Sequence, residues 1–461
     1  MARGRRAVAR LIQRLERPAV ITAPRAQEMA FVSPMPPART GVATYSRAVL
    51  RGLRSVGYHR TIDVVWPARP RDEIRVRSYG LAVYHIGNNV EFHGEIYRFA
   101  VARPGLVVLH DLGLDDLVQG LLAEDDPLGL RAWREAARRA PRLSLPEATI
   151  HEPLSQPWCA HIARHARGVI VHSDFARRYL RDFGCATPVF VVPHPPVEGD
   201  REVAAARARA SALRAVAGAG PDDVLIVAAG DLNRAKQLDA LAAAVASLPD
   251  NVRLALVGRT IPGFDAAAAV HRAAIGDRAT VASDVADEDF LGWIAAADVV
   301  VDLRHPHRGE VSGSLTRALQ LGRATVVSAT GTYLDLPADA VATVPAGPVD
   351  PAALGAVLFS LARDRERRAR LSARARAVAA ERYTLEATAR GYVRAIEQTL
   401  ALALDPIRLA LPRWARALND IGLREDHVEE GFGVSYVRGL QELASALPPS
   451  AERGGSAQHR R

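Results

Sequence analysis

The sequence predicts an α/β protein: two Rossmann-like doubly wound domains facing each other across a cleft, with a helical extension at the carboxyl end. Three observations predict it. Short β-branched runs bounded by turn residues alternate with longer helical patterns, and the alternation happens twice. Runs such as GLVVLH and DVVVDL are apolar at successive positions, as expected of strands covered on both faces. Between the halves lies a stretch of prolines and glycines around one Ala/Arg helix, with no strand pattern. At 461 residues, 49% of them apolar, the chain is long enough for two or three domains and too apolar for wholesale disorder.

Taken in order, the first seventeen residues hold six arginines against one glutamate, with Val8, Leu11, Ile12 and Leu15 at helical spacing. They lack the apolar core and cleavage site of a secretion signal, and no stretch approaches the ~18 apolar residues of a membrane span. The expectation is a cytoplasmic protein. Residues 1–28 form a basic leader that either frays into solvent or lies on the anionic inner face of the cell membrane. Residues 29–200 read as the first domain, with strands at 29–33, 61–66, 81–86, 106–110, 168–172 and 189–192. Residues 201–222 read as a linker helix. The second domain, 223–400, has strands at 224–229, 252–257, 279–281, 298–303, 324–327 and 341–344. A helical extension at 401–448 and a free tail at 449–461 complete the chain.

Composition removes several functions. Cys159 and Cys185 are too few for a disulfide framework and have no zinc-ligand spacing, so no metal site and no cofactor are expected. The net charge of +9 comes from arginines scattered among acidic residues, without a recognition helix, and aromatic residues make up 5% of the chain. Nucleic acid is therefore not an expected partner. One detail stands out: Lys236 is the sole lysine among 60 basic residues.

Four patterns sit at strand ends or helix starts, where open α/β sheets bind ligands. In SPMPPARTGVATYSRAVL, Gly41 opens a helix after a proline-rich turn; glycine lets a ligand approach the backbone, and a helix start favours phosphate. In YHIGNNVEFHG and VVLHD, Asn88, Asn89 and His93 follow one strand and His110 the next. An imidazole at such a strand mouth can donate or accept beside a reacting group, while His93 lines or braces the site. In GDLNRAKQLDAL, Lys236 begins a helix near Arg234, where a compact ammonium adds to the helix dipole and suits a diphosphate. In DVVVDLRHPHRGEVSGSLTRALQLG, Ser312 and Gly313 offer backbone N–H groups and a hydroxyl to phosphate oxygens, and Glu310 can accept from sugar hydroxyls. Ser312 as a plain helix N-cap holds equally well.

In the order and spacing of these pieces, from P-P-x-x-x-G-V through VVLHD, GVIVHSDFARRYL, G-x-L-N-x-x-K and GEVSGSLTRALQLG, the chain resembles family four of the retaining nucleotide-sugar glycosyltransferases. That resemblance implies the GT-B fold and transfer of a sugar from a nucleoside diphosphate sugar to a hydroxyl acceptor, glycan, lipid-linked or small, with retention and without a metal. It implies that Lys236 binds the donor phosphates, that Glu310 meets the transferred sugar, that His110 lies beside the reacting centre and that Gly41 is the glycine of the amino-terminal loop. By their own placement, Arg234, Ser312 and Gly313 join Gly41 and Lys236 as donor-diphosphate candidates, Asn233 and Arg317 are candidate nucleotide or sugar contacts, and Asn88, Asn89 and His93 are acceptor-side candidates. Two departures stand out. Where the family carries a second glutamate this chain has Ala318 beside Arg317, and the arginine usually paired with the lysine is replaced by Asp231, with Arg234 a turn away. Two alternatives stay open: a non-catalytic GT-B module that binds a sugar nucleotide, and a GT-B nucleotide-sugar epimerase.

Overall fold

The structure, a computed structural model, describes residues 25–76, 78–138, 153–196 and 199–402. All twelve expected strands form. The first sheet comprises β1 (Arg25–Val32), β2 (Thr61–Val65), β3 (Tyr79–Ile86), β4 (Leu106–Leu109), β5 (Gly168–Val171) and β6 (Val189–Val191), in the order β2-β1-β3-β4-β5-β6. The second comprises β7 (Val224–Ala229), β8 (Val252–Gly258), β9 (Ala279–Ser283), β10 (Val299–Asp302), β11 (Ala324–Ser328) and β12 (Ala342–Val344), in the order β12-β11-β10-β7-β8-β9. Every pairing is parallel, with Met29 opposite both Ile62 and Leu81 and with Val299 opposite Ile226. Parallel neighbours need crossover connections, which lay helices on both faces. That is why β4, β5, β7 and β10 are buried at every position.

In each sheet the chain first builds outward on one side and then returns to the other. The reversal falls between β1 and β3 in the first lobe and between β7 and β10 in the second. Loops leaving such neighbouring strands in opposite directions open a crevice at the carboxyl edge, so the fold itself places the loops after β7 and β10 around one site.

Three domain boundaries differ from expectation, the first because β1 opens at Arg25, inside the expected leader. Helix Asp200–Val216 packs on helix Asp287–Ala296, with Leu213 against Gly292, and Arg214 bonds to the carbonyl of Ala296 (3.1 Å) and to Asp298 (2.7 Å); it is a layer of the second lobe rather than a linker. Helix Leu385–Ala401, expected in the second lobe, lies against helix Gly41–Ser55 of the first. There the Tyr392 and Tyr45 hydroxyls meet at 2.7 Å, and Glu397 accepts from Tyr58 (2.8 Å) and from Arg60 (2.8 and 2.9 Å). Residues 23–401 form one compact unit. Residues 1–24 of the basic leader, the extension at 401–448, apart from its first two residues, and the free tail lie outside the described residues.

Candidate functional site

The loop after β7 turns through a single 3-10 turn, Arg234–Lys236, capped by Asn233, whose Oδ1 accepts from the N–H of Lys236 (3.2 Å). The turn carries the lysine inward. Lys236 is 3% exposed, and its Nζ donates to Oδ1 of Asp302, the last residue of β10 (2.9 Å). Asp302 also accepts from the Tyr333 hydroxyl (3.0 Å), with the Arg304 guanidinium 3.3 Å away. Arg304 Nε then donates to Oε1 of Glu310 (3.1 Å), whose other oxygen accepts from the N–H of Arg308 (2.8 Å). Lys236, Asp302, Arg304 and Glu310 thus form one chain of charge-assisted contacts with alternating sign.

Burial would raise the Asp302 pKa, but Lys236 and Arg304 override it and hold the carboxyl well below the usual range. Burial and then Arg304 lower the Lys236 pKa, against the pull of Asp302. Burial would likewise raise Glu310; His307, Arg304 and backbone donors outweigh it, so this carboxylate also stays ionised at neutral pH.

Above the lysine sits Gly230, with φ +117°. A β-carbon there would stand 2.9 Å from Ser314 Oγ and 3.1 Å from Lys236 Nζ, so the missing side chain leaves an ammonium and a hydroxyl converging on one small niche. Ser314 belongs to helix Gly313–Leu321, which starts at this edge. Ser312 is its N-cap, accepting from the N–H of Leu315 (3.3 Å), and its hydroxyl helps to lower the Asp302 pKa. Arg317, on the same helix, donates to the carbonyl of Gly313 (3.2 Å) and lies over the Phe290 ring.

Arg234 is exposed and lines a cavity of about 390 Å³ with Asp239, Phe264, Asp265 and Arg272, a lining that does not include Lys236. The arginine that does reach Asp231 is Arg259, which follows β8, bonds both its carboxylate oxygens (3.0 and 2.7 Å), and donates to the carbonyl of Arg39 in the first lobe. Two residues on, Gly41 begins its helix in open space: a β-carbon there would meet no atom within 4 Å.

In the first lobe, His110 follows β4 with Nε2 3.1 Å from Nδ1 of His85. Burial, helped by the histidines around it, keeps its pKa well below the usual imidazole range. The three acceptor-side candidates are all tied into the first lobe. Asn88 donates from its side chain to Asp115 (3.3 Å) and Asp116 (2.9 Å) and accepts from the N–H of Leu117 (3.0 Å). Asn89 caps helix Val90–Ala102 by accepting from Phe92 (3.1 Å). His93 is buried, with Nδ1 3.0 Å from the carbonyl of His85, and burial pushes its pKa down to about 4.

The two lobes meet at the site. Arg308 donates to both oxygens of Asp115 (3.0 Å each), and its carbonyl accepts from the N–H groups of Leu112 (2.8 Å) and Gly113 (2.9 Å). This docking brings Asp111 under the charge of Glu310. Burial and that charge raise the Asp111 pKa to about 7. Asp111, next to His110, thus lies within the field of Glu310. Sequence reasoning overlooked Asp302, Arg304, Arg308 and Asp111 as site residues, although DVVVDLRH and VVLHD contain the first, second and fourth. A further signal went unread: four successive strands carry a histidine at or just beyond their carboxyl ends, at His85, His110, His172 and His194.

No protein-family model matches the chain. It is 35% identical over 188 residues to a D-inositol 3-phosphate glycosyltransferase of Xylanimonas cellulosilytica, a match covering 40% of this chain. The chain spans about two fifths of that relative's length (43%). Among solved structures, it is similar to sucrose-phosphate synthase from Thermosynechococcus elongatus, with TM-score 0.60 and 19% identity over 82% of this chain and 100% of that one. It is also similar to Anabaena Alr3699/HepE in complex with UDP and glucose, with TM-score 0.58 and 15% identity over 80% and 99%. The same Anabaena protein in complex with UDP-glucose gives TM-score 0.58 at 14% identity, over 80% and 99%. The architecture is thus the GT-B fold shared with these proteins. Within it, the chain is similar in sequence to a glycosyltransferase.

Proposed function

We propose that the protein transfers a sugar from a nucleoside diphosphate sugar to a hydroxyl acceptor, with retention of anomeric configuration and without a divalent metal. The observation that carries this reading is the unbroken contact from Lys236 through Asp302 and Arg304 to Glu310 at the crevice of the second sheet. The niche over Gly230 and the free N–H groups at the start of helix Gly313–Leu321 suit the departing diphosphate. Charge stabilisation of that leaving group is where most of the rate effect belongs. In this reading Glu310, one step along the network, accepts from a hydroxyl of the transferred sugar, and His110 serves the reacting centre from the other lobe. The acceptor hydroxyl attacks from the side the diphosphate leaves. The names of the sequence relative and of the sugar-nucleotide complexes support the same chemistry.

The test begins with a thermal-shift screen of nucleoside diphosphate sugars, since a ligand that binds only the folded state raises the melting temperature. The stabilising donor is then assayed for transfer, with and without acceptor and with a chelator, and product configuration is read by NMR. Turnover should survive the chelator and give the retained anomer, and Lys236→Ala should lower it by orders of magnitude. Asp302 keeps Arg304 and Tyr333 as partners in that variant, so the fold has a route to tolerate the loss. A near wild-type rate would defeat the proposal, and epimerised sugar nucleotide formed without acceptor would favour the epimerase reading.

A further inference from the structure

The ends of four adjacent strands place His85, His110, His172 and His194 around the ring of Tyr45, at centroid distances of 5.8, 4.7, 5.0 and 5.1 Å. Two of these rings are anchored to backbone. Nδ1 of His172 lies 2.9 Å from the carbonyl of Val192, and Nδ1 of His194 lies 2.9 Å from that of Pro195. A carbonyl only accepts, so both rings carry a proton on Nδ1. His85 is different. Its Nδ1 faces Nε2 of His110, and its Nε2 is buried with no partner.

Two proton arrangements fit a contact between two neutral rings. If His110 donated from Nε2, the proton of His85 would sit on Nε2, a buried N–H with no acceptor. If His85 donates from Nδ1, the buried nitrogen is a bare lone pair. An orphaned donor in an apolar setting costs more than an orphaned acceptor, and buried N–H groups without partners are rare. The second arrangement wins. Burial and neighbouring imidazoles hold both rings below the usual range, so they are neutral at physiological pH.

We infer that His85 is a positioning residue that keeps the proton of His110 on Nδ1, so that His110 offers the cleft a hydrogen-bond donor rather than a base. Nδ1 of His110 makes no hydrogen bond to a described residue and is not one of the buried orphan atoms, which leaves it open to solvent. Resting on the proposed sugar transfer, this makes His110 a neutral donor to a sugar oxygen, with no proton transferred.

The tautomer is read by nitrogen NMR of the full-length protein carrying ring-labelled histidine, with His110→Asn assigning the signal and no donor present. The expected spectrum shows Nδ1 protonated and Nε2 bare in His110, with coupling across the hydrogen bond to His85. Protonated Nε2 overturns the inference. In His85→Phe, which keeps the ring volume without a donor, protonated Nε2 should appear, whereas His85→Asn, whose amide N–H occupies the Nδ1 position, should restore the wild-type pattern. An unchanged His110 spectrum in His85→Phe also overturns it. Should that variant not fold, the wild-type coupling and His85→Asn still decide. Since the spectrum needs no turnover, failure of the sugar-transfer reading and failure of this one are separate results.

Discussion

Asp111 follows His110 directly, its Oδ2 accepting from the N–H of Asn88 (2.9 Å) while burial and the charge of Glu310 raise its pKa to about 7. An unfolded aspartate titrates near 3.9. Between these values the folded chain keeps a proton that the unfolded chain has released, so stability falls as pH rises through the window. The penalty is absent below about pH 4 and complete above about pH 7, reaching at most about 4 kcal/mol. Asp111→Asn should remove that dependence: between pH 5 and pH 8 the variant's denaturant midpoint should drop less than the wild type's, and parallel slopes would refute the assignment. Residues of this kind were only half legible. Lys236 and Glu310 stood out by type and place in the sequence. Their link through Asp302 and Arg304 did not, because it depends on which strands are neighbours in space. Nor did Arg234 betray that its side chain lines a cavity whose lining does not include Lys236, while Arg259 reaches Asp231 from the end of the next strand.

Helix Gly313–Leu321 shows how an element can hold a site and a fold with one residue. Ser312 accepts from Leu315 as a cap, and its hydroxyl helps to lower the pKa of Asp302, the hub of the charged network. Losing such a cap costs about 1 kcal/mol. Ser312→Ala should therefore lower stability by about that amount in a denaturant titration. A neutral change would mean that the cap does not matter. Gly322 ends the helix with φ +65°, a left-handed C-cap visible in the sequence as the glycine of LQLG. The strands were legible for a similar reason: cover on both faces leaves long apolar runs in β4, β7 and β10. Helix ownership was not. Asp200–Val216 is mostly alanine and arginine, and Ala206 is its one fully buried residue, so no apolar stripe announces which sheet it covers. Leu385–Ala401 has such a stripe, but a stripe does not say which lobe it meets.

Several contacts among the described residues join the lobes. Besides Arg308 on Asp115 and Arg259 on the Arg39 carbonyl, Asp335 accepts from the N–H of Phe175 (2.7 Å) and from Arg178 (3.0 Å). Partly buried ion pairs of this kind are worth on the order of 1 kcal/mol each, so these contacts set the angle between the lobes more than they set stability. Arg308→Ala should leave the melting temperature within a few degrees of wild type while speeding amide exchange at Leu112 and Gly113, whose N–H groups dock on the Arg308 carbonyl. Unaltered exchange there would show that the loop holds without the side chain. The return of Leu385–Ala401 to the first sheet has a different consequence. A ribosome making this chain finishes the second lobe, 200–382, before it has supplied the helix that covers Tyr45, Val192 and the outer side of β4 and β5. The lobe begun first is completed last, and until then its waiting apolar face is what a chaperone would meet.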